Sequence, residues 1–236
     1  MTYLEVIKKI RSMANKKNVE GMARFGINSK NTLGVPMGRL RELAKKLKNE
    51  HTLALKLWAS GIHEAKILAS IIDDPEKVTE KQMDLWVKDF DSWDVCDQTC
   101  MNLFGNTKYA YKKVYAWAKR KEEFVRRASF AMIAVLAWHD EKAENEVFVK
   151  MLPLIKKYAT DERNFVRKAV NWALRHIGKR NMALNKEALK TAKEMEKQAS
   201  KTERWIAKDA IRELTSPKIQ ARVKLKTQQA YERGLK

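Results

Sequence analysis

Apolar residues recur along this chain at the three- and four-residue spacing of an amphipathic helix. Leu4, Ile7 and Ile10 mark a first helix within residues 2–13. A second is expected around residues 19–25 and a third from 37 to about 48. Between them the run GINSKNTLGVPMG, residues 26–38, gathers Gly, Asn, Ser and Pro and reads as a loop. Residues 53–60 and 63–72 form a helical pair broken at Ser60-Gly61. Asp73-Asp74 before Pro75 ends the second of these, because a residue preceding proline is pushed out of the helical region. Residues 79–90 and 93–103 follow as another pair. Gly and Pro number only 8 and 4, too few for a many-turned β fold.

Further on, the pattern repeats. Phe124-Val-Arg-Arg-Ala128 returns as Phe165-Val-Arg-Lys-Ala169 and, more weakly, as Ile206-Ala-Lys-Asp-Ala210. The three alanines are spaced 41 residues apart, the period of HEAT or armadillo repeats. Stepping backwards by about 31 residues reaches Asp97 and then Ala65, which fall at the same small-residue position if the earlier repeats are shorter. The small residue lets neighbouring helices approach, and the basic residues just before it are expected to project along one edge. The fold class that follows is all-α, a curved superhelical solenoid of HEAT-like, armadillo-type helical repeats with a concave face. No linker or low-complexity tract interrupts the chain, so residues 1–236 are expected to form a single domain. The last stretch, residues 219–236, is polar and basic and is expected to fray or to cap the stack.

Composition adds a partner class. Hydrophobic residues make up 44% and charged residues 33%, which excludes a disordered chain. The formal net charge is +20. A compact chain with that excess repels itself unless a polyanion neutralises it. Nucleic acid fits best, since Lys and Arg on phosphates release counterions. An anionic membrane surface is the second choice, and a solvated basic face with no specific partner the third. No stretch is long and apolar enough to span a bilayer, and MTYLEVIKKI lacks the apolar core of a signal peptide. An intracellular protein without membrane association is expected. Cys96 and Cys100, four residues apart on one helix, make neither a disulfide framework nor a zinc site and are expected to be buried core thiols.

Common catalytic signatures are missing: no Gly-Lys phosphate loop, no G-x-G-x-x-G and no H-E-x-x-H. His51, His63, His139 and His176 show no ligand spacing, so neither a metal nor a cofactor is expected. Asp91-Ser-Trp-Asp-Val-Cys-Asp97 is more informative. On a helix, Trp93 and Asp97 are i and i+4 neighbours on one face. A carboxylate at an inward position is costly unless a cation compensates it; Asp97 lies either at the floor of a positive groove or in a pair with a neighbouring Arg. Trp172 and Arg175 share a face one turn after Ala169. Trp172 is either ordinary core or an exposed ring that stacks on a base or attracts a cationic one. Arg127 either reaches a phosphate or pairs on the surface with Glu122 or Glu123.

At these residues the sequence resembles the HEAT-like-repeat alkylpurine DNA glycosylases, the AlkD-type DNA alkylation repair enzymes. The likeness covers most of the chain. It is carried by Met22-Ala-Arg-Phe25, the Leu33-Gly-Val-Pro36 loop with Arg39 to Arg41, Trp93 to Asp97, Arg127-Ala128 and Trp172-Ala-Leu-Arg175. The resemblance implies Asp97 as the catalytic carboxylate, Trp93 and Trp172 as its flanking indoles, and Arg127 and Arg175 as DNA-backbone contacts. It implies hydrolysis of the N-glycosidic bond of cationic purines such as 7-methylguanine and 3-methyladenine in duplex DNA, by a monomer, without a base-flipping pocket. Phe25 stands where some members have Tyr, which bears on substrate range. Some relatives have lost the catalytic set and bind DNA structures only; this chain keeps it. A non-catalytic binder of bent or branched nucleic acid is the alternative function, and a scaffold for an acidic protein partner is the third.

Overall fold

The computed structural model describes residues 1–233, which pack as two compact units, Met1–Tyr111 and the part from Lys112 onward. Among the described residues there are helices and no strands. The first unit holds α1 (Tyr3–Ser12), α2 (Lys16–Arg24), α3 (Met37–Ala44), α4 (His51–Ala59), α5 (His63–Ile72), α6 (Glu80–Trp86) and α7 (Trp93–Asn102). Two single 3₁₀ turns, Val87–Asp89 and Phe104–Asn106, complete it.

Local sequence explains the helix starts. Thr2 caps α1 through a reciprocal pair with Glu5, and Thr79 caps α6 by accepting from the Gln82 amide. Each satisfies backbone donors that a helix leaves open at its N-terminus. The helix expected over residues 37–48 stops at Ala44. The chain then turns through Asn49 at φ 60°, a conformation asparagine tolerates, and still buries Leu47.

α5 is the hub of this unit, packing against α1, α3, α4 and α7. Ala65, Leu68, Ala69, Ser70 and Ile72 are completely buried along it. A helix contacted on so many sides buries most of its circumference, not one stripe. Elsewhere in the unit, Trp58 and Trp86 stack at 3.9 Å, with Phe90 tilted beside Trp58 at 6.0 Å and Phe104 tilted beside Trp86 at 6.4 Å. The Trp58 indole N–H donates to Asp89 at 2.9 Å, so the buried ring leaves no polar orphan.

The second unit runs through α8 (Ala110–Ala118), α9 (Glu123–His139), α10 (Asn145–Val149), α11 (Leu152–Tyr158), α12 (Asn164–Gly178), α13 (Met182–Glu196), α14 (Lys201–Leu214) and α15 (Pro217–Glu232). The three sequence copies fall on α9, α12 and α14, and α12 packs against both of the others. Ala128, Ala169 and Ala210 are completely buried. Phe124 meets Phe165 at 5.4 Å between copies. Polar ties also join successive copies: Arg127 to the Phe165 carbonyl, Asn171 to Asp209 and Arg175 to Glu213, each across 38 residues. The C-terminal stretch is helical as far as Glu232; residues 234–236 lie outside the described residues.

The stepping of the repeat into the first unit needs correction. Ala65 is fully buried, as are the thiols of Cys96 and Cys100, which form no disulfide, but Asp97 is only half-buried. One residue is about 100° of rotation on a helix. The buried side chains of α7 are Val95, Cys96, Thr99 and Cys100, and Asp97 is turned from them toward a partly exposed face.

The loop between α2 and α3 turns through two glycines at positive φ, Gly26 and Gly34. Gly34 has φ 75°, and a Cβ there would collide with the Asn15 carbonyl oxygen. Gly34→Ala is expected to destabilise the protein by about 2 kcal/mol or more in urea unfolding. Gly21, inside α2 with open space around it, gives the opposite sign: Gly21→Ala is expected to add about 0.5–1 kcal/mol.

Candidate functional site

The α7 site is built from its N-terminus. Ser92, completely buried, is the N-cap residue of α7, and its hydroxyl accepts the Asn28 amide at 2.9 Å, while Asn28 donates its side chain to Asp91 at 2.7 Å. The loop before α3 is thereby fastened to the start of α7. Trp93 follows, half-buried, with its indole N–H donating to the Phe25 carbonyl at 3.1 Å. That bond fixes the ring's plane. Asp97 stands one turn along on the same face, also half-buried. A carboxylate in that position keeps access to solvent and is spared the full cost of burial.

Beside them lies a cleft of about 680 Å³, lined by Met22, Phe25, Pro36, His63, Trp93 and Asp94 among others. Its buried lining joins His63 and Glu64 to the apolar side chains of Val35 and Ile67. His63 Nε2 lies 2.8 Å from Asp94, and the His63 side chain is 3% exposed. Burial opposes a charge on His63, but the Asp94 hydrogen bond and charge, with Glu64 and Asp91 further off, outweigh it and hold the imidazole above its ordinary value. Glu64 is 1% exposed and accepts the backbone N–H groups of Leu33, Gly34 and Val35. A buried carboxylate is tolerable when donors converge on it in this way. The sequence marks none of His63, Glu64 and Asp94 as a site residue; its one signal for the pair is that His63 and Asp94 stand 31 residues apart, one repeat step.

In the second unit, Trp172 is half-buried on α12 and meets His176 edge-on at 5.6 Å. Trp138 also meets the His176 ring, tilted, at 5.6 Å. Trp172 is thus neither enclosed core nor an isolated surface ring. Burial, then Lys179 and Arg175, push His176 down to about 3, so it is neutral at ordinary pH. Arg175 pairs with Glu213 and lies 3.7 Å from Asp209. Lys179 shares Glu213 at 2.8 Å. Arg127 departs from the expected exposed edge. It is 6% exposed and donates to the Phe165 carbonyl at 2.6 Å, because its place on α9 faces α12. Trp93 and Asp97 therefore belong to the first unit, and Arg127, Trp172 and Arg175 to the second.

The family described as DNA alkylation repair enzyme matches residues 6–214. The chain belongs to that family. Among solved structures, one described as a new family of proteins related to the HEAT-like repeat DNA glycosylases with affinity for branched DNA structures superposes with a TM-score of 0.75. It is 20% identical, over 90% of this chain and 95% of that one. A designed armadillo repeat protein in complex with a (KR)4 peptide aligns at 17% identity over 78% of this chain and 88% of that one, with a TM-score of only 0.31. None of the curated proteins matches. The first structure shows that this DNA alkylation repair family member has a HEAT-like helical-repeat fold, as its 41-residue period indicates.

Two histidines give this family member opposite pH responses. His63 is raised in the folded state, so its contribution is complete below the ordinary value of 6.5 and is lost as pH rises through the folded value. His176 is lowered from 6.5 to about 3, so it costs stability as pH falls through that window. Thermal unfolding across pH is expected to show the acid limb flattened in His176→Gln and the limb above 6.5 flattened in Asp94→Asn.

Proposed function

We propose that this protein is a monofunctional DNA glycosylase that hydrolyses the N-glycosidic bond of alkylated, cationic purines in duplex DNA, acting as a monomer. 7-Methylguanine and 3-methyladenine are the substrates of choice. The observation that carries the reading is the placement of Trp93 and Asp97 one turn apart on α7, both partly open to solvent, with the indole anchored on the Phe25 carbonyl. Membership of the DNA alkylation repair family and the net charge of +20 support it.

The chemistry suits that geometry. Alkylation at N3 or N7 leaves the purine positively charged, so its departure from C1′ takes the bonding electrons and needs no general acid. The sugar left behind has oxocarbenium character. A fixed carboxylate, Asp97, stabilises that charge and orients the water that attacks C1′ and gives up a proton. The Trp93 face attracts the cationic nucleotide. In the second unit we assign Trp172 to packing against the DNA and Arg175, still a quarter exposed, to a phosphate. Arg127 would act through the α9–α12 contact that it ties.

A second reading has its own support. The protein of the 0.75 TM-score structure is described as having affinity for branched DNA structures, and this chain spans 95% of its length. A non-catalytic binder of bent or branched DNA is therefore the alternative. Chromatography of bases released from methylated duplex decides between them. Asp97→Asn is expected to slow release by about 100-fold or more while DNA affinity stays within about threefold. Equal rates in wild type and variant would remove Asp97 from the mechanism. Tight binding of a four-way junction with no base released by the wild type would establish the alternative.

A further inference from the structure

A cavity of about 180 Å³ lies in the second unit between the end of α9, the turn before α13 and α15. Its described lining includes three cations, Arg180, Lys226 and Arg233, against one carboxylate, Glu141. The cations differ in how they are held. Arg180 is fixed: it donates to the Ala143 carbonyl at 2.7 Å and lies over the Phe148 ring at 4.6 Å. Arg233 pairs loosely with Glu141 at 3.3 Å, and both are exposed. Lys226 is half-buried and, among the described residues, has no hydrogen-bond or ion-pair partner. Burial, then Arg222 and Arg180, lower its proton affinity, outweighing the opposing charge of Glu141. A partly buried ammonium facing like charges is unfavourable unless an anion completes the group.

An aromatic surface adjoins it. Trp138 lines the same cavity with 44% of its surface exposed. It stacks on His139 at 4.6 Å and reaches His176, and through it Trp172. A fixed guanidinium, a half-buried ammonium and an exposed indole are the parts that bind a phosphodiester together with the sugar or base beside it.

We propose that the Arg180–Lys226–Arg233 cavity is a phosphate site for the DNA backbone, with the adjoining nucleoside packed on Trp138. The site takes a strand that has already passed Trp172. It rests on DNA as the partner but not on catalysis.

The test is fluorescence anisotropy of a labelled duplex across a salt series, with wild type, Lys226→Gln and Lys224→Gln. Lys224 is an exposed neighbour on α15 outside the cavity, and its replacement removes the same charge. Lys226→Gln is expected to weaken binding about three- to tenfold and to flatten the salt slope by about one, with Lys224→Gln close to wild type. A second arm titrates inorganic phosphate while following tryptophan emission in wild type and Trp138→Phe. Quenching by the duplex at concentrations where phosphate has no effect, lost in Trp138→Phe, supports a nucleic-acid source. Equal quenching by phosphate alone would overturn the DNA assignment. Identical affinities and slopes in both lysine variants, or equal losses in both, would overturn the site. A wild type that binds no duplex would overturn the DNA-partner reading itself.

Discussion

Helices that are contacted from two sides can approach only if the side chains between them are small. Ala128, Ala169 and Ala210 meet that demand on α9, α12 and α14, and Ala65 meets it on α5. Close approach brings backbone within reach of neighbouring side chains, and the polar ties follow from it. Arg127 reaches a carbonyl on α12 because the helices are near enough for a guanidinium to bridge them. The same proximity lets Arg175 and Lys179 share Glu213 on α14.

Charge is distributed with the same economy. The chain carries 49 basic and 29 acidic residues, so few carboxylates are available to neutralise the cations. Several of them are held between helices: Glu64 under the loop amides, Asp94 against His63, Asp161 between Arg126 and Arg163, and Glu213 between Arg175 and Lys179. Asp161 is held below its ordinary value because its two arginines outweigh its burial. Cations that gain no such partner remain to meet an anion from outside. This links the packing of the repeats to a basic protein's affinity for a polyanion.

Within this arrangement α7 is unusual in its exposed face. Its buried side carries Val95, Cys96, Thr99 and Cys100. Its other side carries Trp93 and Asp97, neither of them enclosed. The neighbouring loop is pinned by Glu64, Ser92 and Gly34, so the indole rests on a fixed backbone and not on a mobile one.

Helix positions, the 41-residue recurrence and the i, i+4 pairing of Trp93 with Asp97 were legible in the sequence, because helical periodicity is a local property that composition and spacing carry directly. The +20 charge was equally direct. Burial and partnership were not. Whether Arg127 faces solvent or α12, whether Asp97 is enclosed, and which acids Arg175 meets all depend on the helix lying opposite. The His63–Asp94 pair and the cavity shared by Trp138, Arg180 and Lys226 join residues from separate helices and turns. A rotation of 100° per residue decides between core and surface, and only packed neighbours fix that rotation.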